Sequence, residues 1–150
     1  MRAVVYDSYG PPSVLRLEHI PIPTPRRDEV LVRIVATSLN LSDWEGLRGS
    51  PAYARFGGLR RPRRHVLGSD IAGVVDAVGP GASRFREGDE VYGDNLALMG
   101  GFAEYAVAAE SALVAKPAEL SFVQASTIPQ AGAIASDIVG ALPLVLDAPV

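Results

Sequence analysis

Apolar residues recur along this chain in short runs that glycine and proline interrupt, and several of the runs alternate with period two. Val4-Val5-Tyr6 reads as a first strand, stopped at Gly10-Pro11-Pro12. Over residues 14–20 apolar and polar side chains alternate, which predicts a half-buried strand. Pro21, Pro23 and Pro25 then impose an extended connection that lacks backbone donors. The strongest run covers residues 29–39, with Val30, Val32, Ile34 and Ala36 on one face and Leu31, Arg33, Val35 and Thr37 on the other. Further strands are predicted over residues 73–78, 90–92, 102–107 and 113–116. Helices are few. Residues 41–47, after Asn40, predict a short one that Gly46 and Gly49 limit. Ser121-Phe122-Val123-Gln124 predicts another, because the Ser121 hydroxyl can accept from the Gln124 amide while the Gln124 side chain reaches back. Pro129 is expected to end or kink that helix.

Composition narrows the class without changing this mainly β picture. A chain of 150 residues with 48% hydrophobic and 21% charged residues fits one domain. It should bury roughly 70% of the surface its unfolded form exposes, so it needs no disulfide or metal for stability. The absence of Cys excludes a thiolate zinc site. Apolar stretches fall short of the ~18 residues of a membrane span, and the N-terminus reads as a strand rather than a signal peptide. A soluble cytoplasmic protein without membrane partners is expected. The formal charge of -3 gives no general pull toward nucleic acid. One local exception is Arg60-Arg61-Pro62-Arg63-Arg64-His65, either a solvated loop or a contact for a phosphate or an acidic substrate. No aromatic residue interleaves with it, which argues against stacking on single strands.

The order Val66-Leu67-Gly68-Ser69-Asp70-Ile71-Ala72-Gly73-Val74-Val75, then Val78-Gly79-Pro80-Gly81, then Gly88-Asp89-Glu90-Val91-Tyr92-Gly93 resembles the N-terminal, GroES-like half of medium-chain dehydrogenases/reductases. Residues 1–6, 29–34, 100–107 and 125–129 resemble the same family, in family order and spacing. The resemblance covers residues 1–134 and implies a GroES-like distorted β-barrel with a few short helices. Residues 135–150 diverge: no G-x-G-x-x-G follows, and the one candidate strand, residues 144–146, has no helix behind it. A Rossmann domain is therefore expected to be absent from these residues.

Zinc members of the family carry Cys and His where this chain has Asn40 and Ser69, which points to the zinc-independent quinone oxidoreductase-like branch, with no metal expected. The resemblance implies a cleft in which Asn40 hydrogen-bonds an acceptor carbonyl, Ser42 stands at a relay hydroxyl and Asp43 at an acidic position. The same three residues suit helix capping and turns equally well. Ser69 and Asp70 are expected to face the cleft, Asp70 alternatively pairing with an arginine or a backbone amide. Trp44 and Tyr53 are candidates for the wall of an aromatic substrate pocket, or simply core. His19 and His65 lack a suitably spaced nucleophile motif, so a hydrolytic triad has little support.

The reading is the substrate-binding N-terminal domain of a zinc-independent NAD(P)H-dependent oxidoreductase acting on a carbonyl or quinone-like small molecule. The chain is expected to be truncated and unable to transfer hydride alone, with no cofactor expected for it alone, NAD(P)H in full-length relatives, and no cofactor-binding residues assigned. Its apolar surface is expected to favour self-association or a Rossmann-domain partner. The alternatives are a stand-alone, cofactor-free binding or cyclase-like module, and a subunit that completes its site with a separate Rossmann partner.

Overall fold

The computed structural model describes residues 1–55 and 58–141. β1 (Arg2–Val5) and β2 (Arg16–His19) pair antiparallel as a separate two-stranded ribbon, Arg2 opposite His19 and Val5 opposite Arg16. β2 does not bury the face its alternation predicts: Leu17 is 70% exposed, because the strand has β1 as its one partner.

β3 (Glu29–Thr37), β4 (Asp70–Val78), β5 (Glu90–Asp94), β6 (Tyr105–Ala109) and β7 (Leu113–Ala115) form an antiparallel sheet in the order β6-β3-β4-β5-β7. The two nine-residue strands, β3 and β4, lie inside this order. Val30, Val32, Ile71, Val75, Val91, Ala108 and Leu113 are buried together as its core. At roughly 1.5–3 kcal/mol per fully buried aliphatic side chain, this cluster supplies much of the driving force for folding. The strict alternation expected of β3 is interrupted by register shifts between Leu31 and Val32 and between Ile34 and Ala36, and Val30, Leu31 and Val32 are buried in succession.

The barrel is the expectation that the structure corrects: both sheets are open. The outer strands β6 and β7 are not hydrogen-bonded to each other, since a 3₁₀ turn at Glu110–Ala112 separates them and each has one strand partner. Closure by the N-terminal ribbon fails too. β1 reaches the rest of the molecule through the single bridges Ala3 to Ala103 and Val5 to Val66. The physical reason lies in the prolines: Pro11, Pro12, Pro21, Pro23 and Pro25 flank the ribbon and lack the N–H that a ladder consumes at each step. The strand expected over residues 102–107 is shifted for a related reason. Phe102 is engaged elsewhere, donating to Leu67 O and accepting from the Val4 amide, so the ladder with β3 begins at Tyr105.

α1 (Leu41–Arg48) ends at Gly49, whose φ of 59° is the left-handed conformation that glycine adopts without strain. α2 (Phe122–Ser126) begins with the expected capping box: Ser121 Oγ accepts from the Gln124 amide at 3.2 Å, and Gln124 Oε1 accepts from the Ser121 amide at 3.0 Å. α2 packs against β3, β4 and β5. Pro129 does not simply close α2. It opens α3 (Pro129–Ala141), where a first-turn proline loses no helical hydrogen bond. α3 runs without a break past residues 134 and 135 and through Gly140, and packs against β5. Residues 142–150, with the candidate strand at 144–146, lie outside the described residues.

Candidate functional site

Three chain segments converge where α1 begins, where β4 begins and where α3 begins. Asn40 precedes α1 in an extended conformation. Its Nδ2 donates to Ser69 Oγ at 3.3 Å and to Ser38 Oγ at 3.5 Å. Ser42 Oγ lies 3.4 Å from Ser69 Oγ and donates to Gln130 Oε1 at 3.1 Å. Ser69 is fully buried, whereas Asn40, Ser42 and Gln130 are partly exposed. The structure thus brings together Asn40, Ser42 and Ser69, three of the residues singled out from the sequence.

Asp43 and Asp70 hold this cluster from behind. Asp43 Oδ2 accepts from the Asn40 amide at 2.9 Å, and Oδ1 accepts from the Gly68 amide at 2.8 Å. The side chain is 1% exposed and ties the start of α1 to the entry of β4. Burial pushes its carboxyl above the usual range, opposed by the amides of Asn40, Gly68 and Ser69, while the charge of Asp94 adds to the rise. Asp70 accepts from the Gln130 amide at 3.2 Å through Oδ1 and from the Ser38 hydroxyl at 3.3 Å through Oδ2. A carboxylate so placed satisfies a free amide in the first turn of α3 and faces the positive end of its dipole. Its carboxyl is also raised, first by burial and further by Asp94, against the hydrogen bonds from Asn40, Gln130 and Ser38.

The raised carboxyl of Asp70 carries a prediction with a definite sign. An acid whose folded pKa exceeds its unfolded value, about 3.9 for Asp, adds stability at low pH that is lost as pH rises through the folded pKa. Asp70→Asn cannot titrate. Urea unfolding should therefore show that this substitution costs less at pH 7 than at pH 4, and a larger cost at pH 7 would reverse the assignment.

Tyr53 and Trp44 part company. Tyr53 lies in the 3₁₀ turn Ala52–Arg55, donates from its hydroxyl to Glu45 Oε1 at 2.6 Å, and lines the cavities beside Ser42. One cavity, of about 350 Å³, runs from Ser42 and Tyr53 to Gln130 and Ile134; a second, of about 310 Å³, runs from the same residues toward Arg64 and Met99. Trp44 lines neither. It is 43% exposed, and the Arg48 guanidinium stacks 5.2 Å from its ring centre.

Sequence reasoning did not single out Ser38, Gln130 or Asn95. Asn95 is 1% exposed and ties the loop after β5 in place: its amide donates to Ser69 O at 2.7 Å and its Nδ2 to Met99 O at 2.7 Å. Gln130 was within reach of the sequence, since Pro129 read as the first residue of a helix puts the following side chain at a helix start. Ser38 and Asn95 carry no comparable signal.

Among the described residues, no group of three or more His, Cys, Asp or Glu side chains is arranged to hold a metal ion. None of the described residues forms a glycine-rich strand-to-helix turn of the kind whose amides hold a pyrophosphate. No helix among them is long and apolar enough to cross a membrane.

Residues 26–118 match the model of the alcohol dehydrogenase GroES-like domain. The chain is 39% identical over 139 residues to the 2-methylene-furan-3-one reductase of Solanum lycopersicum, covering 87% of this chain and 34% of that protein. It is 38% identical over 139 residues to the chloroplastic NADPH-dependent alkenal/one oxidoreductase of Arabidopsis thaliana, covering 87% of this chain and 35% of that protein. The solved quinone oxidoreductase of Coxiella burnetii superposes with a TM-score of 0.83 at 32% identity, over 93% of this chain and 44% of that one. The chain therefore spans about a third of the length of the two plant relatives. It belongs to the alcohol dehydrogenase GroES-like family, and within it is similar to the quinone oxidoreductases and enone reductases.

Proposed function

We propose that the chain is the acceptor-binding part of an NAD(P)H-dependent reductase of enones or quinones. The observation that carries this reading is the polar cluster of Asn40, Ser42 and Ser69, held to one another at 3.3 and 3.4 Å, in which Ser42 lines the cleft, Asn40 is partly exposed and Ser69 is buried behind them. Such contacts are longer than the usual hydrogen-bond optimum, so a carbonyl oxygen entering the cleft can replace them at little cost. Asn40 Nδ2 and the Ser42 hydroxyl donate to that oxygen and orient it. Asp43 and Asp70 act as positioning residues, Tyr53 closes one wall, and Trp44 stays outside the site. The nicotinamide supplies the hydride when bound, from a nucleotide-binding unit these residues do not form. The exposed apolar side chains Leu39, Leu41, Val123, Ile128 and Ile134 surround the cleft elements and suit the docking of such a unit.

Cyclohex-2-enone titrated into the isotope-labelled chain should shift the Asn40 side-chain amide and the backbone amides of Ser42 and Ser69. Asn40→Ala and Ser42→Ala should each weaken binding by about fivefold, the value of one net hydrogen bond. Shifts confined to another face, or unchanged affinity in both variants, would refute the reading.

A further inference from the structure

The cleft has a second end that the acceptor reading leaves unused. Tyr6, Tyr9, Arg63 and Arg64 line a cavity of about 330 Å³. Gly46, Ala54, Arg64 and Met99 belong both to its wall and to that of the cavity holding Ser42 and Tyr53. The latter in turn shares Ser42, Glu45, Tyr53 and Leu96 with the cavity that reaches Gln130. The three adjoin in a row through these shared wall residues, with Ser42 in the wall of two of them.

Charge divides this groove of adjoining cavities. Asp94 and Asp137 line the Gln130 end, Glu45 lines both that end and the middle, and Arg63 and Arg64 line the other end. Among the described residues, Arg60, Arg61, Arg63 and Arg64 make no ion pair. Asp7, the carboxylate that approaches His65, is already engaged with Arg16 and His65. Arg64 is aimed into the groove by a hydrogen bond from its Nη1 to Leu96 O at 2.9 Å, which uses one of its five N–H donors. Pro62 is buried between Arg61 and Arg63 and holds the segment against the protein. A chain of net charge -3 thus places two uncompensated guanidinium groups at one end of a groove whose other end is acidic. Guanidinium forks match the geometry of a carboxylate and form charge-assisted bonds to it.

We propose that the acceptor this groove takes carries a carboxylate tail, with its carbonyl at Asn40 and Ser42 and its carboxylate at Arg63 and Arg64. The inference rests on the acceptor reading above and adds the substrate's charge and its direction in the groove. The acidic end repels the tail, so one orientation is favoured.

An ω-carboxy 2-enal and its methyl ester form a matched pair that differs chiefly in charge. Calorimetry on the full chain should find the acid bound about tenfold more tightly than the ester, with the preference shrinking as salt is raised. Arg63→Gln, which breaks no backbone contact, should remove part of the preference, and Arg63→Gln/Arg64→Gln most of it, read as the ratio of acid to ester affinity in each variant. Equal binding of acid and ester, or a preference that survives the double substitution, overturns this inference and leaves the acceptor reading intact. Failure of both ligands to bind overturns the two together. A third ligand, 2′,5′-ADP, separates the other source of an oxyanion: if it alone loses affinity in the double variant, the arginines serve a nucleotide phosphate and the proposal is wrong.

Discussion

Gly68→Ala should lower the unfolding free energy by about 3 kcal/mol, the upper range for a strained backbone position. The φ of Gly68 is 98°, a conformation that side chains disfavour. An added Cβ would stand 2.6 Å from the Phe102 amide nitrogen and 2.7 Å from Gly101 Cα. Neither neighbour is free to retreat. Gly68 O accepts from the Gly101 amide and Leu67 O from the Phe102 amide, each at 2.9 Å, while the Gly68 amide is held by Asp43. The strain has to move Ser69, so loss of enone binding should accompany loss of stability. Denaturant unfolding checks the first effect; a change below about 1 kcal/mol would mean that the Gly68–Gly101 approach is looser than described.

Asp43→Ala should cost about 3 kcal/mol as well, for a different reason. Removing the carboxylate strands the buried Gly68 amide and leaves the part-buried Asn40 amide without its partner, and a buried unsatisfied group costs roughly 1–3 kcal/mol. Asp43→Asn keeps one acceptor oxygen and nearly the same volume, so about half of that loss is expected. The pair of substitutions also separates positioning from direct contact with substrate. At temperatures where it is folded, Asp43→Asn should bind cyclohex-2-enone within about twofold of the parent chain, against about fivefold for Asn40→Ala. If Asp43→Asn were as stable as the parent, the clamp between α1 and β4 would be the wrong account of this residue.

The two acids illustrate how far a sequence motif reaches. Asn40, Ser42 and Asp43 were visible as a group because their spacing suits both the family's catalytic cleft and a helix start. The fold separates the members: Asn40 and Ser42 keep partial exposure, Ser42 in the cleft wall, and Asp43 spends both carboxylate oxygens on backbone amides. For Asp70 the sequence left a backbone amide among the partners, and the amide is that of Gln130, sixty positions away. Pairings at that distance depend on which elements pack together, which a linear pattern does not encode. Trp44 and Tyr53, nine positions apart, look alike as aromatic candidates; both are exposed, and the difference is that Tyr53 lines the cavities beside Ser42 while Trp44 lies beneath Arg48.

Period-two alternation, proline and glycine punctuation and the Ser121 capping box determined the strands, α2 and the mainly β class, because these are local constraints on φ, ψ and hydrogen bonding. The start of α3 at Pro129 was locally encoded too, but the same residue type marks both the stop and the first turn of a helix. Whether the strands close into a barrel was decided only in three dimensions. Closure requires β1 or the outer strands to find a continuous ladder partner, and the prolines beside the ribbon and the turn at Glu110–Ala112 leave single bridges instead. The joining of the arginine cluster to the Asn40 and Ser42 cleft is likewise tertiary. Composition shows four arginines in a loop, but only the fold turns two of them into the wall of a groove whose opposite end is acidic.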